Sequence, residues 1–358
     1  MKKYKLMHIL SDTNFGGAGQ YLLHVCQYID RNIFDVVVIL PYNSQLKQHL
    51  ENVTLIEVDG IADQSFSIKG YYALKKVISK YQPQIIHCHG SLSGRLAAQR
   101  LGTPKIIYTK HTLSQNNHLW IKEIKRLLNR FLRAEVIAIS QAIKDNLLEE
   151  GLLEKKIHLI YSGVPLINKE KLVFSKPGKT PIVVGFVGRL EHIKGPHHFL
   201  RVVQQVMENK DESIVFKMAG EGSMKEALLE SIREKQLEVV MVGFVEDINS
   251  FYQSCHIIVN TSESEALSFS TLEAFSNGKP VIAFDIPGIN EVISHQVDGF
   301  LIPSLEYETF ADAIIKLAKD CALRDLFGVR GKQKVEEKYT VEQMVQQTQN
   351  VYIGGLYE

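Results

Sequence analysis

Cysteine is scarce: Cys26, Cys88, Cys255 and Cys321 stand far apart in 358 residues, with no Cys-x-x-Cys pair. Such spacing suggests neither a disulfide framework nor a zinc knuckle, so a reducing cytoplasm is the expected compartment. Long apolar runs are missing too; no window approaches the roughly 18 uninterrupted apolar residues of a membrane-spanning helix. The opening Met1-Lys2-Lys3-Tyr4-Lys5 passes directly into a short strand-like segment, and neither export nor spanning is expected. Net charge is only +1, which excludes a grossly basic nucleic-acid binder. With 45% hydrophobic and 23% charged residues, the composition also excludes disordered and collagen-like chains. Repeats and low-complexity segments are absent. What remains is a globular protein whose length suits two domains of about 150 to 200 residues.

Charge is unevenly placed. Residues 1–165 carry 21 Lys and Arg against 13 Asp and Glu, whereas residues 166–358 carry 20 against 27. A basic half of this kind suits a surface that meets anions, or a simply solvated lysine-rich face. Short β-branched runs alternate with segments of helical period throughout, the pattern of repeated βαβ units. In the first half, strands are predicted near 5–10, 34–40, 53–57, 84–88, 105–109, 135–139 and 157–160. Helices are predicted near 17–30, 68–80, 91–100, 118–132 and 140–150. The polar stretch 168–180 reads as a linker. A second series follows, with strands near 182–187, 214–219, 239–242, 256–260, 280–284 and 299–302, each followed by a helix or turn, and then helices near 308–320, 322–337 and 340–353. The expected fold is α/β, with two doubly wound, Rossmann-like domains facing across a cleft. Ligands of open parallel sheets bind at the loops following the carboxyl ends of the strands.

Three such loops carry candidate chemistry. Gly16-Gly17-Ala18-Gly19-Gln20 follows the first strand and precedes a helix, so backbone N–H groups there can approach a phosphate. It lacks the GxGxxG dinucleotide fingerprint, and purely structural turn glycines are the alternative. Gly188-Arg189-Leu190-Glu191-His192-Ile193-Lys194-Gly195-Pro196 places two cations five residues apart before a helix that Pro196 can open. Arg189 supplies a planar fork and Lys194 a point charge, as a diphosphate requires; two solvated charges are the plainer possibility. In the segment Ser262–Pro280, Ser268 is a candidate helix cap and Gly278 a helix stop. That places Glu265 in the loop and Glu273 in the first turns of the helix, where carboxylates can accept hydrogen bonds from sugar and ribose hydroxyls.

As an ordered set, these motifs resemble glycosyltransferase family 4, retaining nucleotide-sugar transferases of the GT-B architecture. The resemblance also rests on HCHG at 87–90, TKHT at 109–112, YSGVP at 161–165, NGKPVIAFDIPGINEVI and DGFLI, and it spans nearly the whole chain. It implies an N-terminal acceptor-side domain over 1–168, with a C-terminal helix of about 338–358 packing back onto it, and a nucleotide-sugar-binding domain over 180–337. The implied reaction moves a hexose or N-acetylhexosamine from a nucleoside-diphosphate sugar to a carbohydrate or lipid-linked acceptor hydroxyl with retention, in polysaccharide or glycolipid synthesis. Under the same resemblance, Arg189 and Lys194 bind the diphosphate, Glu265 contacts the transferred sugar, and Glu273 holds the ribose. Gly16 and Gly17 line the diphosphate from the first domain, His111 lies beside the donor sugar, and backbone around Val245 reads the base. Members often carry Gly-Phe-Gly after the first glutamate; here Ala266, Leu267 and Ser268 follow, which leaves sugar preference open. Gln20 replaces a common glutamate.

No metal or other cofactor is expected. His87 and His89 form an HxH pair without a third ligand at suitable spacing, and an Asp-x-Asp motif is missing. Trp120–Arg133 interleaves five cations and one acid with apolar residues at helical spacing. It could contact an anionic membrane peripherally, at the inner face of the cell membrane, or it could turn Ile121, Ile124, Leu128 and Phe131 into the core. An epimerase or phosphorylase of the same architecture, or a non-catalytic sugar-nucleotide-binding protein, are the alternative functions.

Overall fold

Aliphatic runs that are buried along their length become central parallel strands, because crossover helices cover both faces of such sheets. The computed structural model of the protein describes residues 3–113, 119–167, 181–208 and 214–354. The expected linker at 168–180 lies outside them. The chain divides into two units: residues 1–163 together with 341–358, and residues 164–340.

Unit 1 contains β1 (Tyr4–Leu10), β2 (Phe34–Leu40), β3 (Thr54–Glu57), β4 (Ile85–His89), β5 (Lys105–Lys110), β6 (Glu135–Ala138) and β7 (Ile157–Leu159). They form one parallel sheet in the order β3-β2-β1-β4-β5-β6-β7. Its helices are α1 (Gly17–Tyr28), α2 (Ile68–Tyr81), α3 (Leu92–Arg100), α4 (Leu119–Phe131) and α5 (Gln141–Glu149). Ser67, Ser91 and Ser140 cap α2, α3 and α5 by accepting a backbone N–H in the first turn. Each such cap stabilises by about 1 kcal/mol.

Unit 2 repeats the plan with β8 (Ile182–Val187), β9 (Ile214–Ala219), β10 (Val239–Gly243), β11 (Ile257–Asn260), β12 (Val281–Phe284) and β13 (Gly299–Ile302). The order is β10-β9-β8-β11-β12-β13, again with parallel pairing. Its helices are α6 (Pro196–Glu208), α7 (Lys225–Glu234), α8 (Ile248–Ser254), α9 (Phe269–Ser276), α10 (Tyr307–Lys319) and α11 (Cys321–Lys338). Phe186, Phe199, Phe216, Phe284 and Phe310 are fully buried in its core. The last helix, α12 (Val341–Ile353), belongs to unit 1. Its Thr348 hydroxyl lies 3.1 Å from the Tyr21 hydroxyl, and the Gln349 side chain accepts the backbone N–H of Asp30 at 2.7 Å.

In both sheets the strand order reverses once, between β1 and β4 in unit 1 and between β8 and β11 in unit 2. Loops leaving those paired strands diverge to opposite faces and open a crevice at the carboxyl edge, where ligands of doubly wound sheets sit.

The helix read as either membrane-facing or core-facing turns apolar groups outward. Ile124, Leu127 and Phe131 of α4 are 49%, 69% and 67% exposed, which overturns the core-facing alternative for Ile124 and Phe131. The polar side of the helix is the docked one: Lys125 pairs with Glu150 at 2.6 Å, and Asn129 donates to the Glu150 carbonyl. The Ile121 side chain is outside what the structure describes.

Candidate active site

In unit 2 the switch-point strands β8 and β11 are followed by the two motifs singled out in the sequence, and hydrogen bonds sew the motifs together. Glu263 donates its backbone N–H to the Ile193 carbonyl at 2.9 Å, and the Thr261 hydroxyl donates to the Gly195 carbonyl at 2.8 Å. Lys194 Nζ reaches Glu265 Oε1 at 2.6 Å. The approach depends on Gly195, whose φ is +65° and whose missing Cβ would stand 1.9 Å from the Thr261 carbonyl oxygen. Only glycine tolerates that combination of left-handed backbone and contact with main chain.

Glu265 is 8% exposed. Both of its described bonds, from Lys194 Nζ and from the Ser262 hydroxyl at 3.0 Å, fall on Oε1. Among the described residues, Oε2 has no hydrogen-bond partner and is left to accept one from a ligand. Arg189 is exposed and makes no hydrogen bond or ion pair among the described residues. Of the two cations, then, one is tied to a buried carboxylate and the other is uncommitted.

Ser268 caps α9 by accepting the Thr271 N–H, and Gly278 follows the helix at φ +66°. Ala266, Leu267 and Ser268 are buried, and Gly288, from the loop after β12, presses on the carbonyls of Glu265 and Ala266. Glu273 lies in the second turn of α9, where its Oε2 accepts the Tyr252 hydroxyl at 2.9 Å. Burial first, and the Glu273 charge second, hold the Tyr252 phenol well above its ordinary range, so it stays a donor. Val245 is half-buried in the loop between β10 and α8, next to Phe244, which is 71% exposed. The structure thus brings Lys194 and Glu265 into contact, places Arg189 in the same loop as Lys194, and ties Glu273 to Tyr252.

Sequence reasoning missed Ser262, Tyr252 and Gly288. It also missed Glu263, whose Oε1 lies 3.2, 3.5 and 3.0 Å from His192 Nδ1, His197 Nε2 and His198 Nε2. His192, His197 and Glu263 bring ligand atoms within 4.8 Å of one another. The one available signal was the His-x4-His-His spacing beside the loop after β8.

In unit 1, Gly16 is the residue before α1 with φ −113°, and Gly17 is the first helical residue. Neither has positive φ, so turn formation does not require glycine there. A Cβ on Gly16 would meet nothing within 4 Å, so the position is open for close approach to the helix N-terminus.

His111 follows β5 directly; the residue keeps some exposure, while its ring nitrogen Nδ1 is enclosed. The HxH pair does gain a third histidine, contrary to the expectation from spacing: His8 of β1 pairs in register with His87, and ligand atoms of His8, His87 and His89 lie within 4.8 Å. Yet both nitrogens of His87 are occupied, Nδ1 by the Tyr352 hydroxyl at 2.6 Å and Nε2 by the Thr109 hydroxyl at 2.7 Å. Those bonds leave His87 without a lone pair aimed at a shared cation. Burial pushes His8 and His111 down to about 3, and holds His87 and His89 well below the usual imidazole range, with neighbouring imidazoles adding to the effect. All four are neutral at pH 7.

Two family models match the chain, Glycosyltransferase Family 4 over residues 15–167 and Glycosyl transferases group 1 over residues 168–334. Among curated proteins, the chain is 24% identical to a UDP-Gal:alpha-D-GlcNAc-diphosphoundecaprenol alpha-1,3-galactosyltransferase from Escherichia coli, over 98% of this chain and 97% of that one. It is 21% identical to the capsular polysaccharide biosynthesis glycosyltransferase CapM of Staphylococcus aureus, over 100% and 99% of the two chains. Among solved structures, Anabaena HepE in complex with UDP and glucose superposes with a TM-score of 0.81 at 20% identity, covering 98% of this chain and 100% of the other.

Proposed function

Because this chain belongs to glycosyltransferase family 4, as the two models together show across residues 15–334, we propose that it transfers a hexose or N-acetylhexosamine from a UDP-sugar to an acceptor hydroxyl with retention of anomeric configuration. The observation that carries this reading is the Lys194–Glu265 contact at the switch point of unit 2, with Glu265 Oε2 left open and Arg189 uncommitted beside it. A ligand bearing both a diphosphate and sugar hydroxyls fits that arrangement. UDP is favoured because the relatives named above carry UDP-Gal or UDP in their descriptions.

Breaking the bond between the anomeric carbon and the diphosphate oxygen leaves negative charge on the departing phosphate. Arg189, Lys194 and the N-terminus of α9 stabilise that charge as it grows, which lowers the barrier more than it tightens ground-state binding. The anomeric carbon then bonds the acceptor oxygen on the same face, and the acceptor proton passes to the leaving phosphate. Glu265 orients the sugar through Oε2 and is not a nucleophile; Glu273 holds the ribose, and the backbone at Val245, Ala266, Leu267 and Ser268 meets base and phosphates. Gly16, Gly17 and His111 of unit 1 are read as further substrate contacts. Arg189, Lys194 and the N-terminus of α9 are the positive groups offered to the diphosphate, and no step is routed through a metal.

The test is a panel of nucleotides and their sugars read first by thermal shift, then by product analysis. UDP at about 100 times its Kd should stabilise the folded chain by roughly 2.7 kcal/mol, and the matching UDP-sugar should yield a product with the donor's anomeric configuration. An inverted product would overturn retention, and stabilisation by no nucleoside diphosphate would overturn the donor site.

The lipid-linked acceptor implied by the family suits the outward apolar stripe of α4, flanked by Arg126 and Arg130. We read this helix as a peripheral contact with an anionic membrane. Vesicles containing anionic lipid should float the protein, and Leu127→Asp with Phe131→Asp should reduce the floated fraction severalfold without changing the melting temperature. Equal flotation with neutral vesicles would remove the reading.

A further inference from the structure

Three imidazoles form a continuous hydrogen-bonded chain under the switch-point crevice of unit 1. His8 Nδ1 lies 3.1 Å from His89 Nε2, and His89 Nδ1 lies 3.1 Å from His111 Nε2. The rings are supported from the side: Tyr21 of α1 packs on His89 and His111, and Tyr352 of α12 packs on His8. Each end of the chain is an enclosed nitrogen, His8 Nε2 and His111 Nδ1, with no hydrogen-bond partner among the described residues.

We propose that His8 and His89 are positioning residues that set the tautomer of His111, so that its Nδ1 carries the proton and presents an N–H to a substrate oxygen. The assignment rests on the family reading of His111 as a substrate contact.

A neutral imidazole has one N–H and one lone pair, so each shared bond fixes which nitrogen of the next ring is protonated. Three neutral rings in series therefore have two self-consistent arrangements. In one, protons sit on every Nε2, and the unshared N–H is that of His8. In the other, protons sit on every Nδ1, and the unshared N–H is that of His111. Either arrangement leaves one donor unmatched inside the chain, and the location of that donor decides between them. His8 is 0% exposed in the middle of β1, where an unpaired N–H has no remedy. Both terminal nitrogens are enclosed, but His111 stands just past the carboxyl end of β5 beside the exposed Thr112 and is only half-buried as a residue, so a small shift of that loop lets a ligand oxygen meet its Nδ1. The Nδ1-protonated arrangement places the donor where it can be satisfied and leaves only a weaker acceptor lone pair orphaned at His8. His87 does not compete, because hydroxyls of Tyr352 and Thr109 take both its nitrogens.

The direct test is nitrogen NMR of the full chain with labelled histidine, using His111→Asn solely to assign the His111 signals. Protonated Nδ1 and bare Nε2 at His111 are expected; protonated Nε2 would overturn the proposal. The second arm uses kinetics. His8→Phe keeps a ring but donates nothing to His89, and kcat should fall about ten-fold, the equivalent of one hydrogen bond, with KM for the donor nearly unchanged. His8→Asn places an amide N–H near the position of Nδ1 and should restore kcat to within about three-fold. Equal rates for folded His8→Phe, His8→Asn and the parent would overturn a positioning role. If His8→Phe fails to fold, the tautomer measured in the parent still decides. If His111 proves Nδ1-protonated while His111→Phe transfers sugar at the parent rate, it is the substrate-contact reading that fails, and the tautomer assignment stands.

Discussion

Lowering the pH from 7 to 5 is expected to reduce the unfolding free energy by several kcal/mol, far more than carboxylate protonation alone would do in this range. The cause is the concentration of buried neutral imidazoles in unit 1. Burial pushes His8 and His111 down to about 3 and His24 down to about 4, and holds His87 and His89 well below the ordinary value. In the unfolded chain these rings take up protons near pH 6.5, while in the folded chain they do not. The unfolded state then binds more protons, so stability is complete above about pH 6.5 and is lost as pH falls toward the folded values. Each such group contributes up to about 1.4 kcal/mol per pH unit within that window. Urea unfolding at constant ionic strength would show the midpoint dropping steeply between pH 6.5 and 5, and a flat midpoint would contradict it. Hydrogen exchange should report the first opening in unit 1, because His197 and His256 of unit 2, also shifted downward by burial, are only partly enclosed.

Replacing Arg189 by alanine should lower kcat for sugar transfer by roughly 10²- to 10³-fold, the usual cost of deleting one donor aimed at transition-state charge. Melting temperature should hardly move, since the side chain is exposed and makes no hydrogen bond or ion pair among the described residues. Arg189→Lys should recover only part of the rate, because a point charge cannot reproduce two parallel hydrogen bonds to a phosphate. Lys194→Ala is expected to differ in kind: it removes the cation and also strands the buried Glu265 carboxylate, so both rate and stability should fall. Full activity of Arg189→Ala with its correct donor would sink the diphosphate assignment.

The elements themselves were almost entirely legible in the residues. Predicted strands at 34–40, 182–187, 214–219 and 299–302 coincide with β2, β8, β9 and β13. Periodicity is a local property, and strands of a parallel sheet with helices on both faces are largely apolar, so each announces itself without knowledge of its neighbours. Ser268 and Gly278 marked the ends of α9 for the same reason, since capping chemistry reaches only a few residues. Arg189, Lys194, Glu265 and Glu273 could be nominated from charge type, loop position and family likeness.

What spacing along the chain could not supply was pairing across it. Lys194 and Glu265 are 71 residues apart, and their contact exists because β8 and β11 are neighbours in the sheet although distant in sequence. His8 looked like one more strand residue until register set it beside His87, and helix α4 could not declare which face it buried until Glu150 drew its lysine side inward. Local propensity and hydrophobic period determined the βαβ elements and the kind of chemistry they could carry. Strand order and the docking of helices on the sheets decided which of those groups share a hydrogen bond, because that depends on long-range packing that no short window of residues contains.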